Sequence, residues 1–232
     1  MKLFGGIYFD ERGLSTSIRG MHMQTELMST INSNIMGFDK IGYQREEAVV
    51  SSFSEYVGVH GLSKVKSDEI GRLYSSEKPL DFALAKKGYF QYETPNGIQM
   101  TRDGRFMLDK NGNLLTQEGF KVLARDGSTI KFKNAAIDIE KIKVNTKGEI
   151  FAYNDTNGQL EKVSQFSVAT KDGNISDDVD VRQGFVESGN VQMASEVFKL
   201  VPVRRNFEAN RQMFIIQNDE LSKTIQELGR SS

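Results

Sequence analysis

Apolar residues recur every seven positions at both ends of this chain, and in short runs broken by turn residues through its middle. From Asp10 to about Met36, Leu14, Met21, Met28 and Ile35 keep the seven-residue interval, with Ile18 and Ile31 on neighbouring positions. Such a narrow stripe seats one helix against another. Gly20 and the interspersed Ser, Thr and Asn residues weaken the segment as a lone helix, so it is expected to need a partner. The last segment returns to the same period. Met193, Leu200, Phe207, Phe214, Leu221 and Leu228 form an unbroken seven-residue series, widened by Val197, Val203 and Ile225. The rise per residue of an α-helix gives this segment a length of roughly 50 Å. Pro202 cannot donate to the carbonyl of Phe198, which predicts a kink or a helix start there. Arg204, Arg211, Asn218 and Gln226 take the polar face, and Gly229 is the expected stop.

The middle follows a different rule. Between about Leu73 and Val191, turn signals arrive at short intervals: Pro95-Asn96-Gly97, Asp103-Gly104, Asn111-Gly112, Glu118-Gly119 and Asp126-Gly127, then Gly148, Gly158 and Gly173. Strand-like runs lie between them, such as Tyr89-Phe90-Gln91-Tyr92, Ile98-Gln99-Met100-Thr101 and Phe106-Met107-Leu108. This spacing predicts a meander of hairpins, with Phe90, Phe106 and Leu108 filling a core.

The expected architecture is therefore mainly β with α-helical termini. Residues 1–45 form an N-terminal axial helix and a Gly-Tyr turn, 46–190 a central all-β domain (a distorted sandwich or open barrel), and 191–232 a C-terminal axial helix. The helices either pack on their own β domain or pair with each other and then with copies of the same chain. The second arrangement makes Leu14, Ile18, Met21, Met28, Ile31, Ile35, Leu200, Phe207, Phe214, Leu221, Ile225 and Leu228 an assembly seam.

Composition narrows the function class. The net charge is -1 with both signs mixed along 232 residues, so no basic field exists to hold a nucleic acid. The absence of cysteine excludes disulfides, thiol catalysis and cysteine-ligated metals, and it fits an exported protein. The N-terminus, Met1-Lys2-Leu3-Phe4-Gly5-Gly6-Ile7-Tyr8-Phe9-Asp10-Glu11, has too short an apolar run for a secretory signal, with acidic residues following at once, and no stretch of about twenty apolar residues occurs. The expectation is a soluble chain with no cleaved signal peptide and no direct membrane insertion.

Catalytic chemistry is hard to place. His22 and His60 are the only histidines, and neither has a second ligand at metal spacing. Asp109-Lys110-Asn111-Gly112-Asn113 begins like a calcium loop, but Leu114 stands where that loop needs glycine and Phe120 where it needs the bidentate glutamate. Asp172, Asp177, Asp178 and Asp180 read as a solvated acidic loop. Neither a phosphate-binding glycine loop nor a nucleophile elbow is present. The reading is a non-enzyme without catalytic, metal or cofactor sites.

Three blocks carry a family resemblance. Ser33-Asn34-Ile35-Met36-Gly37-Phe38-Asp39-Lys40-Ile41-Gly42-Tyr43-Gln44-Arg45 resembles the Asn-rich signature of bacterial flagellar rod and hook proteins through Asn34, Gly42, Tyr43 and Arg45. Gly37, Asp39 and Lys40 replace its usual Asn, Asn and Thr. Leu80-Asp81-Phe82-Ala83-Leu84-Ala85, Gly88-Tyr89-Phe90 and Thr101-Arg102-Asp103-Gly104-Arg105-Phe106 resemble the central signature, with Gly88, Phe90, Arg102 and Gly104 as its marks. Gln183-Gly184-Phe185-Val186-Glu187-Ser188-Gly189-Asn190-Val191 and Arg205-Asn206-Phe207-Glu208-Ala209-Asn210 resemble the start of the C-terminal helix and the motif within it, marked by Glu208 and Asn210. Gly189 stands where serine is usual, and Pro202 is a departure.

The resemblance implies a rod subunit of the basal body. Such a subunit is exported by the flagellar type III apparatus and polymerises with copies of itself and neighbouring rod and hook axial proteins. Its terminal helices surround the export channel in the cell envelope and periplasm, and they are expected to be largely unfolded in the free chain and ordered on assembly. A hook or hook-junction protein, or a secreted β-domain adhesin with coiled-coil oligomerisation, remains an alternative.

Overall fold

The computed structural model describes residues 11–50, 62–132, 138–154 and 159–230. His60 and Gly158 lie outside them. The chain divides into two compact units, one of Met1–Ile35, Glu46–Val65 and Gln192–Ser232, the other of Met36–Arg45 and Lys66–Val191.

The first unit contains helix α1 (Glu11–Gly37) and helix α2 (Met193–Arg230), together with a two-stranded sheet of β1 (Glu46–Val50) and β2 (Leu62–Lys66). The many hydroxyl residues of α1 do not break it, because they bond within it. Ser17, Thr30 and Ser33 each donate to the carbonyl one turn back, at 3.0, 3.1 and 3.0 Å. Pro202 begins no helix: α2 starts at Met193 and continues across it. Apolar burial is sparse. On the two helices Ile31 is the one buried apolar residue among those described, and α2 buries only Glu196. No helix among the described residues is long and apolar enough to cross a membrane.

The second unit is all antiparallel β. Its strands are β3 (Leu73–Ser75), β4 (Phe82–Leu84), β5 (Tyr89–Thr94), β6 (Gly97–Thr101), β7 (Phe106–Leu108), β8 (Leu114–Thr116) and β9 (Lys121–Val122). A 3-10 turn (Ile139–Lys141) precedes β10 (Ile142–Val144), β11 (Glu149–Asn154), β12 (Gln159–Gln165), β13 (Val168–Ala169), β14 (Val181–Gln183) and β15 (Phe185–Glu187). Six of them form one sheet in the order β13-β5-β9-β8-β7, with β6 on β5, and β10-β11-β12 form a second. The late strands return to early ones: β14 pairs with β4 and β15 with β3. The described strands form no closed barrel.

Four rings centre the core. Phe82, Phe90, Phe106 and Phe166 meet at centroid separations of 5.1 to 6.1 Å, mostly edge to face or tilted. Leu80, Leu114, Ile130, Phe132, Ile142, Ile150 and Val181 continue the same apolar cluster, and Leu108 packs against it half-buried. The predicted turns fall into place with one instructive exception. Gly112 takes φ +79 in the Asp109 turn, as a tight turn requires, but Gly104 has no positive φ. A Cβ there would stand 1.8 Å from the carbonyl oxygen of Phe82. The position needs glycine for close approach and not for chirality.

Candidate assembly site

Within the first unit, the faces of α1 and α2 meet through small and polar residues. A Cβ on Gly13 would lie 2.4 Å from Gln217 Nε2, and one on Gly20 would lie 2.6 Å from Asn210 Nδ2. Asn34 Nδ2 donates to Glu196 Oε2 at 3.1 Å. A step of seven up α1, from Gly13 to Gly20, is matched by a step of seven down α2, from Gln217 to Asn210. Asn34, fourteen residues further up, meets Glu196, fourteen further down. The helices run antiparallel in one register. Asn34 also clamps β1, exchanging hydrogen bonds with the backbone of Glu46 at 2.8 Å in both directions. Glu196, itself buried, pairs with Lys199 at 3.0 Å.

The residues expected in the seam are spread around this contact. Ile31 is buried, and Leu14, Met21, Met28, Ile35, Leu200, Phe207, Phe214 and Leu221 are half-buried. Ile18, Ile225 and Leu228 are exposed. Periodicity missed Ser17 and Gln24, polar residues buried on the same face of α1. Among the described residues, Gln24 Oε1 and Gln217 Oε1 find no hydrogen-bond partner. Away from this contact α2 is open, and Phe198 (76%), Ile216 (47%) and Val201 (47%) are exposed there.

The motif residues of the second unit converge on a buried ion pair. Arg102 Nε donates to Glu187 Oε2 at 2.6 Å, with side-chain exposures of 2% and 0%. The remaining guanidinium donors reach the carbonyls of Leu84 (2.9 Å), Gly88 (2.7 Å) and Lys86 (3.2 Å). Glu187 Oε1 accepts from the Gly71 amide at 2.8 Å, and its carbonyl accepts from the Gly42 amide at 2.7 Å. Burial pushes the Glu187 carboxyl above its ordinary 4.5, opposed by the Arg102 charge and the Gly71 amide. Gly42 has φ +67, and a Cβ on it would meet Asp103 N at 2.4 Å. Hence Gly42, Gly88 and Arg102, far apart in sequence, lie in one place.

Asn190 holds the turn beside them. Its Oδ1 accepts from Arg45 N at 2.6 Å, and its Nδ2 donates to the Glu69 carbonyl at 2.8 Å. Tyr43 lies so close to Gly37 that a Cβ there would enter the ring at 2.4 Å, which accounts for glycine at a position where the resemblance has asparagine. Glu187 and Asn190 stand in the third motif block, yet nothing in the sequence alone distinguishes them from their neighbours. Of the remaining marks, Glu208 is exposed and pairs with Arg204 at 3.1 Å.

The polar clusters considered for metals have other partners. Asp109 Oδ1 accepts from the amides of Asn111 and Asn113, each at 2.8 Å, and Oδ2 accepts from Asn113 Nδ2 at 2.7 Å. Asp177 pairs with Arg125, Asp178 with Lys86 and Asp180 with Arg182. His22 is exposed on α1.

Comparison with known proteins matches residues 83–152 to the flagellar hook protein FlgE/F/G D1 domain. The flagellar basal-body rod protein FlgF of Mesorhizobium japonicum is 31% identical, covering 84% of this chain and 87% of the relative. The rod protein FlgG of Bacillus subtilis is 24% identical over 94% of this chain and 99% of its own length. The flagellar hook protein FlgE of Brucella abortus is 31% identical over only 47% of this chain and 30% of its own length. The match thus runs nearly end to end with rod proteins and stays partial with hook proteins. The chain belongs to the family of flagellar basal-body rod proteins.

Proposed function

We propose that this chain is a structural subunit of the flagellar rod, polymerising into the tubular drive shaft that transmits torque and encloses the export channel. A filament needs two different surfaces on every subunit so that contacts propagate and do not close. The observation that carries the reading is α2, a 38-residue helix that buries only Glu196. One of its sides meets α1, and away from that contact Phe198, Val201 and Ile216 are left for neighbours. A helix so little buried needs further partners to be stable. Those partners are copies of this chain and adjoining rod and hook axial proteins. The flagellar type III apparatus delivers it, uncleaved, to the basal body in the cell envelope. The test is mass spectrometry of purified hook–basal bodies, with motility of a deletion strain. Recovery in the rod fraction and loss of hook and filament on deletion are expected. Absence from that fraction with motility intact would favour the adhesin alternative.

A further inference from the structure

The apolar stripes of α1 and α2 both repeat every seven residues. Sliding one helix along the other by one heptad would therefore set apolar against apolar again, so the stripes leave the register open. The flanking layer does not. In the observed register Gly13 meets Gln217, Gly20 meets Asn210 and Asn34 meets Glu196, and the same step sets Leu27 opposite Val203. A one-heptad slide in one direction would bring Asn34 against Val203 and Leu27 against Asn210. The buried Asn34 amide would then lose the Glu196 carboxylate. The opposite slide would bring Leu27 against the buried Glu196 and leave Gly20 facing Val203 across a gap. Each slide strands a buried polar group, which costs more than an apolar mismatch.

We infer that Gly13, Gly20 and Asn34 on α1, with Glu196, Asn210 and Gln217 on α2, are the register-determining residues of the helix pair. They select the C-terminal helix in a single antiparallel alignment, while the apolar stripes supply adhesion without choice. The inference deepens the axial-subunit reading, because a tube can have constant geometry only if every subunit pairs its helices in the same register.

The chain has no cysteine, so engineered pairs report alone. Leu27→Cys with Val203→Cys reports the observed register, and Leu27→Cys with Asn210→Cys reports the slide, about 10 Å along the axis. Both are oxidised in the purified chain and in basal bodies, and intrachain disulfides are mapped by mass spectrometry. The first pair is expected to close and the second to stay reduced. Adding Asn34→Leu and Glu196→Leu is expected to let the second pair close as fully as the first, with helix content by circular dichroism unchanged. The inference is overturned if the second pair closes with Asn34 and Glu196 in place. It is overturned equally if only the first closes after the leucine changes, or if neither closes anywhere. Recovery of the chain in basal bodies tests the rod assignment separately from all three results.

Discussion

At the scale of single residues, the second unit depends on groups whose partners lie far along the chain. Arg102 makes four hydrogen bonds, one of them to the Glu187 carboxylate, so its removal strands Glu187 as an unpaired charge in the interior. Arg102→Met is expected to destabilise the unit by about 3–5 kcal/mol, read as a lower midpoint in chemical unfolding. The Glu187 carboxyl also carries a pH signature. Because burial raises its folded-state pKa above 4.5, the native state holds the proton more tightly than the unfolded chain. Its contribution is present in full below pH 4.5 and is lost as pH rises through the raised value. The stability gap between the wild type and Glu187→Gln should therefore narrow from pH 4.5 upward; a gap that stays flat or widens there contradicts the assignment. Gly104→Ala must push its methyl into the Phe82 carbonyl, 1.8 Å away, and is expected to cost at least about 1–3 kcal/mol. Gly127 has φ +81 but open space around it, so Gly127→Ala should cost only about 1 kcal/mol, from backbone strain. Equal losses in the two alanine variants, by thermal unfolding, would contradict the close-approach account.

Elements were more legible than sites. The seven-residue stripes placed both helices, and the glycine punctuation placed the hairpins from β5 to β9, because each signal is local. Phe90 and Phe106 were legible as core for the same reason. Phe166 joins their ring cluster from an isolated bridge between β12 and β13, far along the chain, and no local pattern announces that. Gln24 and Ser17 were hidden for the opposite reason: they look like surface residues and become seam residues only once α2 lies across them. Pro202 predicts a kink or a helix start; the start lies nine residues earlier, at Met193, and the turns on either side of the proline are helical. The half-buried Phe214 gives the helix scale its sharpest test. Phe214→Asp sets a charge in the seam and is expected to block incorporation into rods while the second unit melts at its usual temperature. Normal incorporation, by immunoblot of basal bodies, would remove Phe214 from the seam.

For the whole molecule, stability is unevenly distributed. The core cluster runs from Leu80 to Val181, wholly within the second unit, whereas the helices of the first bury one apolar residue and several polar ones. Local opening free energies follow buried apolar contact. Limited proteolysis of the free chain is therefore expected to remove both helices and leave a resistant fragment spanning roughly residues 66–191. Uniform resistance from end to end would refute that division. The same imbalance suits a subunit that completes its helices only among neighbours.

The return of β14 and β15 to β4 and β3 has a consequence for time as well as for space. Glu187 supplies the counter-charge to Arg102, a carboxylate oxygen to the Gly71 amide and a carbonyl to the Gly42 amide. All three have left the ribosome long before it is made. A nascent chain therefore carries a guanidinium without its carboxylate while residues 103–187 are added, and strands β3 and β4 stay open until β15 and β14 follow. Closing such distant contacts is slow and comes last. The hairpins from β5 to β9 can pair as they emerge, whereas the ladders of β14 and β15 and the ion pair to Arg102 must wait for residues 181–187.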